Sequence, residues 1–598
     1  MSDGAADPLG TRTWMAYDDK AIYVAFECSE PDMGKVRAIE TRPGANFEND
    51  DFVVLRLDPF DTRQEGRFNF FRVNALGTQE EFLVGGAAAK REWRGDWEAK
   101  AGRTDKAWII EMRIPWTVIS RPGGGKPINM MLNFVRMSQH LGTKLLWSNS
   151  TLASRPELEG SWQNIKPPAE RFVVKPQLLA YGLAEQVSGR TLGRMGLDVK
   201  AKLSPQINAI GTLYPDVRNV EQQVESASFS RSERFLGDAR PFFAEGTDYF
   251  SMGGQFTIGR LFYSRRIDDL VAGAKVFGSL DPTTNIGALA TLGNNKEHDL
   301  AFTYRKDLRN QGSIRGYTTV HADGTRNEHL MGAAVNQRRG NWSVDAQTAR
   351  LTTRNLTSNA SNFGVDFSEP NLFMTANFLS VPQDFNPYLG LMNWRDQVGG
   401  YFFSNYYRET QNKPIKSVNI ESYYNKLKHF NGDPFQDGWN GSISIETRNN
   451  QRYSLWGENR KYDNTADKNI GVSYNYQTNN RFRQWNAWYM NGRVSSSPYT
   501  QYGLGSSVRV LKKLDFGLSY LHEKFHGSSN QTILTAGWEF DPKRAITARA
   551  VRNGSDTNAY LAFRSSGFAG AEFFVILGDP NARKTQNRLV VKYVVPLK

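Results

Sequence analysis

The chain has 598 residues, 39% hydrophobic and 23% charged, enough apolar material for two or three cored domains, which excludes wholesale disorder. A mean hydropathy of −0.55 and the lack of any apolar run near the roughly 18 residues of a spanning helix exclude a helical membrane protein. The net charge of +13 comes from 74 Lys and Arg against 61 Asp and Glu, spread singly or in pairs without the basic block of a nucleic-acid patch, so no nucleic-acid partner is expected.

A membrane barrel stays possible, because its strands alternate between lipid and lumen and are polar on average. The aromatic content of 12% and the 53 glycines suit an all-β chain rich in turns and aromatic girdles. The start, Met1-Ser-Asp-Gly-Ala-Ala-Asp, has neither a basic n-region nor an apolar h-region, so no signal peptide is read there. Either the protein stays inside the cell, or Met1 is not the native start.

From Thr13 to about Ser148 the sequence reads as short strands divided by turn signals. Ala21–Phe26 follows the turn pair Asp18-Asp19, and Phe52–Leu57 follows Asp50-Asp51 and stops at Asp58-Pro59, where proline ends a ladder. Trp108–Pro115 and Met131–Arg136 repeat the pattern, and strands of this length and spacing predict a β-sandwich. Cys28, the one cysteine, falls in an apolar strand run and reads as a buried structural thiol.

These residues resemble a known family. Tyr17-Asp-Asp-Lys-Ala-Ile-Tyr-Val-Ala-Phe26, Glu30-Pro-Asp32, Asp50-Asp-Phe-Val53, Leu57-Asp-Pro-Phe60 and Glu111-Met-Arg-Ile-Pro-Trp116 are similar to the family 9 carbohydrate-binding module. More narrowly they resemble the version that precedes an outer-membrane barrel domain of unknown function. In those relatives a signal peptide and an opening strand come before the Tyr-Asp-Asp segment, so the resemblance implies a truncated start.

Family 9 modules that bind sugar stack pyranose rings on tryptophans. Trp14, Trp93, Trp97 and Trp147 are the candidates here; none falls on a family binding motif, and Trp97, like Trp108 and Trp116, reads more readily as core. Asp50-Asp51 has a calcium-ligating reading, as in some family 9 modules, beside that of a hydrogen-bonded strand entrance. No other cofactor and no other metal is expected.

Pro167-Pro168 marks a hinge, giving a sandwich over 1–166 and a second domain over 167–598. In the latter, Trp439, Gly441, Ile443 and Ile445 oppose Asn440, Ser442, Ser444 and Glu446. Ile470–Gln477 alternates in the same way, and Leu514, Phe516, Leu518 and Tyr520 oppose Asp515, Gly517 and Ser519. Such period-two runs are strands with one greasy face. The roughly 430 residues remaining, at about 18 to 20 per strand plus turn, give some 20 to 24 strands, too many for one ordinary soluble sheet. No blade-length repeat points to a propeller, and closure satisfies every backbone group, as lipid requires. The predicted fold class is therefore all-β: a β-sandwich followed by a large antiparallel transmembrane β-barrel. Leu589, Val591, Tyr593, Val595 and Leu597 share one face of a last strand that resembles the closing strand of outer-membrane proteins, although Lys598 replaces the usual terminal aromatic.

The stretch 216–269 does not read as hairpins. It holds Ser232-Glu-Arg-Phe235, Arg240-Pro-Phe-Phe-Ala-Glu-Gly246 and Leu261-Phe-Tyr-Ser-Arg-Arg-Ile267, which resemble the signature of the same outer-membrane family, written with Arg-Pro-Phe-Phe, Glu-Gly and Tyr-Ser-Arg-Arg. The resemblance implies a fold and an outer-membrane location, with membrane lipid and the barrel-assembly machinery as partners, and supplies no reaction. Glu233, Arg234, Arg240, Glu245, Arg265 and Arg266 read either as a plug that narrows the lumen and selects solutes or as ion pairs that pin a long loop.

His522-Glu-Lys-Phe-His526 matches the zinc-protease pattern H-E-x-x-H, which needs a helix to bring both imidazoles to one metal. It continues an alternating strand instead, where the two rings lie about 13 Å apart, so no zinc site is expected there. Gly123-Gly-Gly-Lys-Pro127 is a turn lacking the P-loop's other residues, and no G-x-S-x-G elbow occurs. The expected function is an outer-membrane barrel that binds or passes glycan or another small solute, its sandwich on the periplasmic side with both barrel termini. The alternatives are a glycan hydrolase, tested first at Glu233 and Glu245, and a structural barrel that docks other proteins.

Overall fold

The computed structural model describes residues 7–597 apart from 42–43, 45–46, 65–66, 84–96, 149, 151–155, 170–173, 188, 205, 217–220, 254–256, 309–310, 411–412, 512, 542 and 567–571. Among the described residues, ten strands precede the hinge: β1 Thr11–Tyr17, β2 Ala21–Ser29, β3 Phe52–Asp58, β4 Asn69–Asn74, β5 Gln79–Phe82, β6 Glu98–Arg103, β7 Ala107–Pro115, β8 Ile128–Ser138, β9 Thr143–Leu146 and β10 Gly160–Ile165. They form two antiparallel sheets, β1-β2-β7-β6 and β10-β8-β3-β4-β5, with β9 beside β8. Alternation on β2 turns Ile22, Val24, Phe26 and Cys28 inward, where they meet Val53, Leu55 and Leu57 of β3 and Trp108 and Ile110 of β7. Strand β3 is buried on both faces, because Phe52 and Val54 pack outward into a second cluster with Phe47.

Beyond the hinge, twenty-four strands close into one antiparallel barrel. The first, Gln177–Val187, pairs with the last, Arg588–Leu597, from Leu178 opposite Leu597 to Val187 opposite Arg588, so no edge is left open. Trp439, Ile443, Ile470, Val472, Phe516 and Tyr593 are all exposed on the outer wall, the face that meets acyl chains in barrels of the outer-membrane type. Outward aromatics cluster toward both rims, Trp342, Tyr453, Trp485 and Trp538 at one and Phe378, Tyr424, Trp439 and Tyr502 at the other, as membrane girdles do.

With an even number of strands, both ends of the barrel sequence lie at one rim, and the sandwich covers that rim. Arg67 reaches Asp307 at 3.3 Å and Ser279 at 3.2 Å, Lys202 donates to Thr117 O at 2.7 Å, and Arg448 donates to Leu141 O at 3.2 Å. Across the rim, Arg509 donates to Ile39 O at 3.2 Å, and Arg481 pairs with Glu40. Turns at this rim are short, such as 340–341, 370–371 and 448–450, whereas the three longest links, 214–271, 382–396 and 578–587, leave the opposite, distal rim.

Candidate functional site

The long link 214–271 folds back into the lumen as a plug. Its first part is a strap held on polar wall residues. Glu221 pairs with Arg549 at 2.5 Å, Gln531 donates to Glu225 O at 2.8 Å, and Phe229 N donates to both oxygens of Glu523 at 2.9 and 3.0 Å. Arg231 forks onto Asp467 at 2.8 and 2.5 Å. Each partner is an inward position on its strand, set by the same alternation that turns the greasy residues to lipid.

The second part is an anchor built on apolar contacts. Phe242 and Phe243, on a single helical turn Pro241–Ala244, join Phe250, Met252, Ile258, Leu261 and Ile267 in one cluster with the inward residues Ile210, Phe277, Leu289, Leu330, Leu351 and Leu379. Gly246 sits at φ 69°, and a Cβ there would meet the Phe277 ring at 2.7 Å; both the left-handed backbone and the close approach require glycine.

The charged residues of the signature staple this anchor together. Arg240 grips Asp238 at 2.9 and 2.7 Å, donates to Ser264 O at 2.7 Å and to Ile267 O, and lies 4.2 Å over the Phe243 ring. Ser264 Oγ donates to Asp238 at 2.7 Å. Glu245 pairs with Lys200 of the wall, and its backbone carbonyl takes a bond from the buried Lys275. Arg266 joins Glu233 at 2.5 Å and Gly390 O at 3.1 Å. Arg234 ties the strap to itself through Ser226 O, Ser228 and Phe229 O. Arg265 lines a small cavity at the distal mouth with Gln222, Asp268 and Asn581. The six residues singled out in sequence are thus in the lumen segment, where five of them act as pins and Arg265 faces a water-accessible recess. The two carboxylates considered for hydrolysis, Glu233 and Glu245, each carry their own cation.

The strap does not fill its side of the lumen. Ser519, Thr535 and Thr547 share the inward faces of Glu523, Arg549 and their neighbours, yet all three are exposed, so water reaches the wall beside the plug.

On the sandwich, Trp14 is 53% exposed on the outer face of the β1-β2-β7-β6 sheet. Trp14, Tyr23, Ala25, Glu98, Lys100 and Glu111 line a shallow concavity there, a flat ring bordered by charges. Trp147 is 60% exposed and covers Gly160, where a Cβ would clash with its ring at 2.0 Å. Trp97 is corrected to core: it is 5% exposed, edge-on to Phe71, and its indole N–H donates to Glu81 at 3.2 Å, so it offers no free face for stacking. Trp93 lies outside the described residues.

Asp50 accepts from Ile39 N, Glu40 N and Asn74, and Asp51 from Arg37 N and Gln139 N. All four carboxylate oxygens bind N–H groups, which is the geometry of a strand entrance. Burial raises both acids, Asp51 to about 6. In the H-E-x-x-H run, His522 faces outward against Asn530 while Glu523 faces the lumen, the consequence of a period of two.

One cluster has no signature in the sequence. Asp299 and His321 are cross-strand partners at the distal mouth, joined by Glu297. No local motif marks them, because only the strand register brings them together.

Residues 168–277 match the family model described as Domain of unknown function (DUF5916). The match spans the hinge, the first barrel strands and the whole plug. No curated protein matches the chain. Among solved structures, a carbohydrate binding module family 9 protein from Caldicellulosiruptor kristjanssonii in complex with glucose is similar at 17% identity, covering 28% of this chain and 83% of its own, with a TM-score of 0.20. The translocation pore of the P pilus usher PapC aligns at 9% identity over 92% of this chain and 99% of its own, with a TM-score of 0.28. Pseudomonas aeruginosa OpdL aligns at 9% identity over 71% of this chain and 99% of its own, with a TM-score of 0.28.

Proposed function

We propose that this protein is a gated solute pathway of the outer membrane, with the 214–271 segment as its gate and the sandwich as a glycan-binding cap on the periplasmic rim. The observation that carries this reading is a closed barrel whose lumen holds a segment of its own chain, pinned by polar contacts beside a wall that water reaches. A barrel with a purely structural role has no need for an exposed Ser519, Thr535 and Thr547 on its inner face. Placing the cap in the periplasm is supported by the long links at the distal rim and the short turns at the capped one, the asymmetry usual between outer and periplasmic sides. The exposed Trp14, with acids and a lysine around it, is suited to a sugar, whose ring faces are apolar and whose hydroxyls need polar partners.

Planar-bilayer recordings of the purified chain test the pathway. Small, flickering conductance that oligosaccharide added from the cap side reduces is expected, with a larger steady conductance when 221–267 is replaced by a short linker. A linker variant that conducts no better than the parent would overturn the proposal. Orientation is tested with Lys100→Cys in intact cells: an impermeant thiol reagent should leave it unlabelled, and strong labelling would place the cap outside.

A further inference from the structure

We infer that Glu297, Asp299 and His321 at the distal mouth form a site for a divalent first-row transition-metal ion. One ligand atom from each of the three lies within 4.8 Å of the others. His321 is 1% exposed, with Nδ1 at 2.7 Å from Asp299 Oδ1 and Nε2 at 3.5 Å from Asp323 Oδ2. Nε2 makes no hydrogen bond, and Glu297 Oε1 is likewise buried without a partner. A buried carboxylate oxygen without a partner costs free energy that a bound cation would recover, and an ion taken up at Nδ1 beside Asp299 leaves Nε2–H to close on Asp323.

The donor set decides the class of ion. An imidazole nitrogen with carboxylate oxygens suits zinc and its neighbours, whereas calcium and magnesium take oxygen alone. A carboxylate against the second ring nitrogen orients metal-binding histidines, and with Asp299 and the ion on Nδ1 that carboxylate is Asp323, 3.5 Å from Nε2.

The site bears on the plug through one loop. Tyr388 of the 382–396 link stacks on the His321 ring at 3.6 Å between centroids, and its backbone N–H donates to Glu328 at 2.7 Å. The next three residues hold the plug: Leu389 O accepts from Tyr263 N at 2.6 Å, Gly390 O from Arg266, and Leu391 exchanges two backbone bonds with Arg260 at 3.2 and 2.7 Å. An ion that fixes His321 fixes the floor on which Tyr388 rests, and with it the plug's attachment. The site exists whether or not the barrel conducts.

The test is a cobalt titration of the full chain in detergent after chelator dialysis, read by the visible d–d bands and by competition with zinc. One equivalent should bind, Glu297→Gln and His321→Gln should each remove it, and Asp323→Asn should weaken it by about 10- to 100-fold. His522→Ala should bind as the parent does. Folding of each variant is checked by heat-modifiable migration, and Glu297→Gln, at a loop position, decides the matter if His321→Gln fails to fold. A parent chain that takes up no cobalt, or one whose binding survives Glu297→Gln, would overturn the inference. Chelation should also speed trypsin cleavage at Arg265 and Arg266 in the parent and leave Glu297→Gln unaffected.

Discussion

Arg240→Ala should release the plug without unfolding the barrel. Arg240 links residues 238–240 to 264–267 through Asp238, Ser264 O and Ile267 O, so it closes the two legs of the anchor on each other. Its removal leaves the Asp238 carboxylate, whose side chain is 8% exposed, without a cation, and breaking one side of a buried pair costs about 3–5 kcal/mol. Because about 1.4 kcal/mol is a factor of ten, the detached population should rise by about two to three and a half decades. Ser264 Oγ still serves Asp238, which places the effect toward the lower figure. The barrel ladder does not involve Arg240, so heat-modifiable migration should be that of the parent. Two readouts apply: trypsin cleavage at Arg231 and Arg234 should accelerate, and single-channel recordings should show longer open intervals. Arg240→Lys should fall between, since an ammonium keeps the charge but not the fork. A folded Arg240→Ala protein with the parent's cleavage rate and the parent's conductance would refute the claim that this residue holds the gate.

Three further outcomes follow from the sandwich. Cys28 is fully buried, and burial pushes its thiol up to about 12, so an aromatic disulfide reagent should react only after denaturation; rapid reaction of the native chain would contradict the packing of β2. Glu159, paired with Arg56 inside the sandwich, is raised to about 7 chiefly by burial. The folded state therefore holds a proton that the unfolded chain has lost above about pH 4.5, and this group's contribution to stability declines as pH rises toward 7. Hydrogen exchange of β3 and β8 amides should accelerate between pH 5 and 8 beyond the intrinsic rate, and less so in Glu159→Gln. Trp14→Ala should abolish retention of the full chain on glycan-coated resin, whereas Trp97→Ala should act by destabilising the core, at about 3–5 kcal/mol.

What the sequence displayed was whatever depends on neighbours along the chain. The rhythm of Ile470, Val472 and Tyr474, or of Phe516 and Leu518, states which side of a strand meets lipid, and the strand total of twenty-four falls in the range that chain length allowed. The turn pairs before Ala21 and Phe52 marked real strand starts. The plug could be located because its composition breaks that rhythm, and its pins could be named because they are charged. Their partners could not: Asp467, Glu523 and Arg549 lie hundreds of residues away from Arg231, Phe229 and Glu221, and only the closed register places them on one wall. The same holds for His321, whose two companions come from another strand and a loop. Trp97 shows the converse failure, since a tryptophan in a strand-loop stretch looks the same whether its ring is a platform or a core residue until the opposite sheet is known.

The two parts of the plug are held by different forces, and this decides which part moves. The anchor buries aromatic and aliphatic side chains against the wall, and each buried side chain contributes about 1.5–3 kcal/mol that added salt does not screen. The strap is held by the half-open ion pairs Glu221–Arg549 and Arg231–Asp467 and by the Phe229 N–H bonds to Glu523, polar contacts that salt weakens in part whereas it leaves the apolar anchor unscreened. The exposed Ser519, Thr535 and Thr547 lie on the strap's side of the lumen. A path can therefore open by lifting the strap while the anchor, stapled by Arg240, stays in place. On this argument ionic strength acts on the strap and the Arg240 substitution acts on the anchor, so the two should open the barrel to different extents, with salt giving the smaller and more readily reversed conductance.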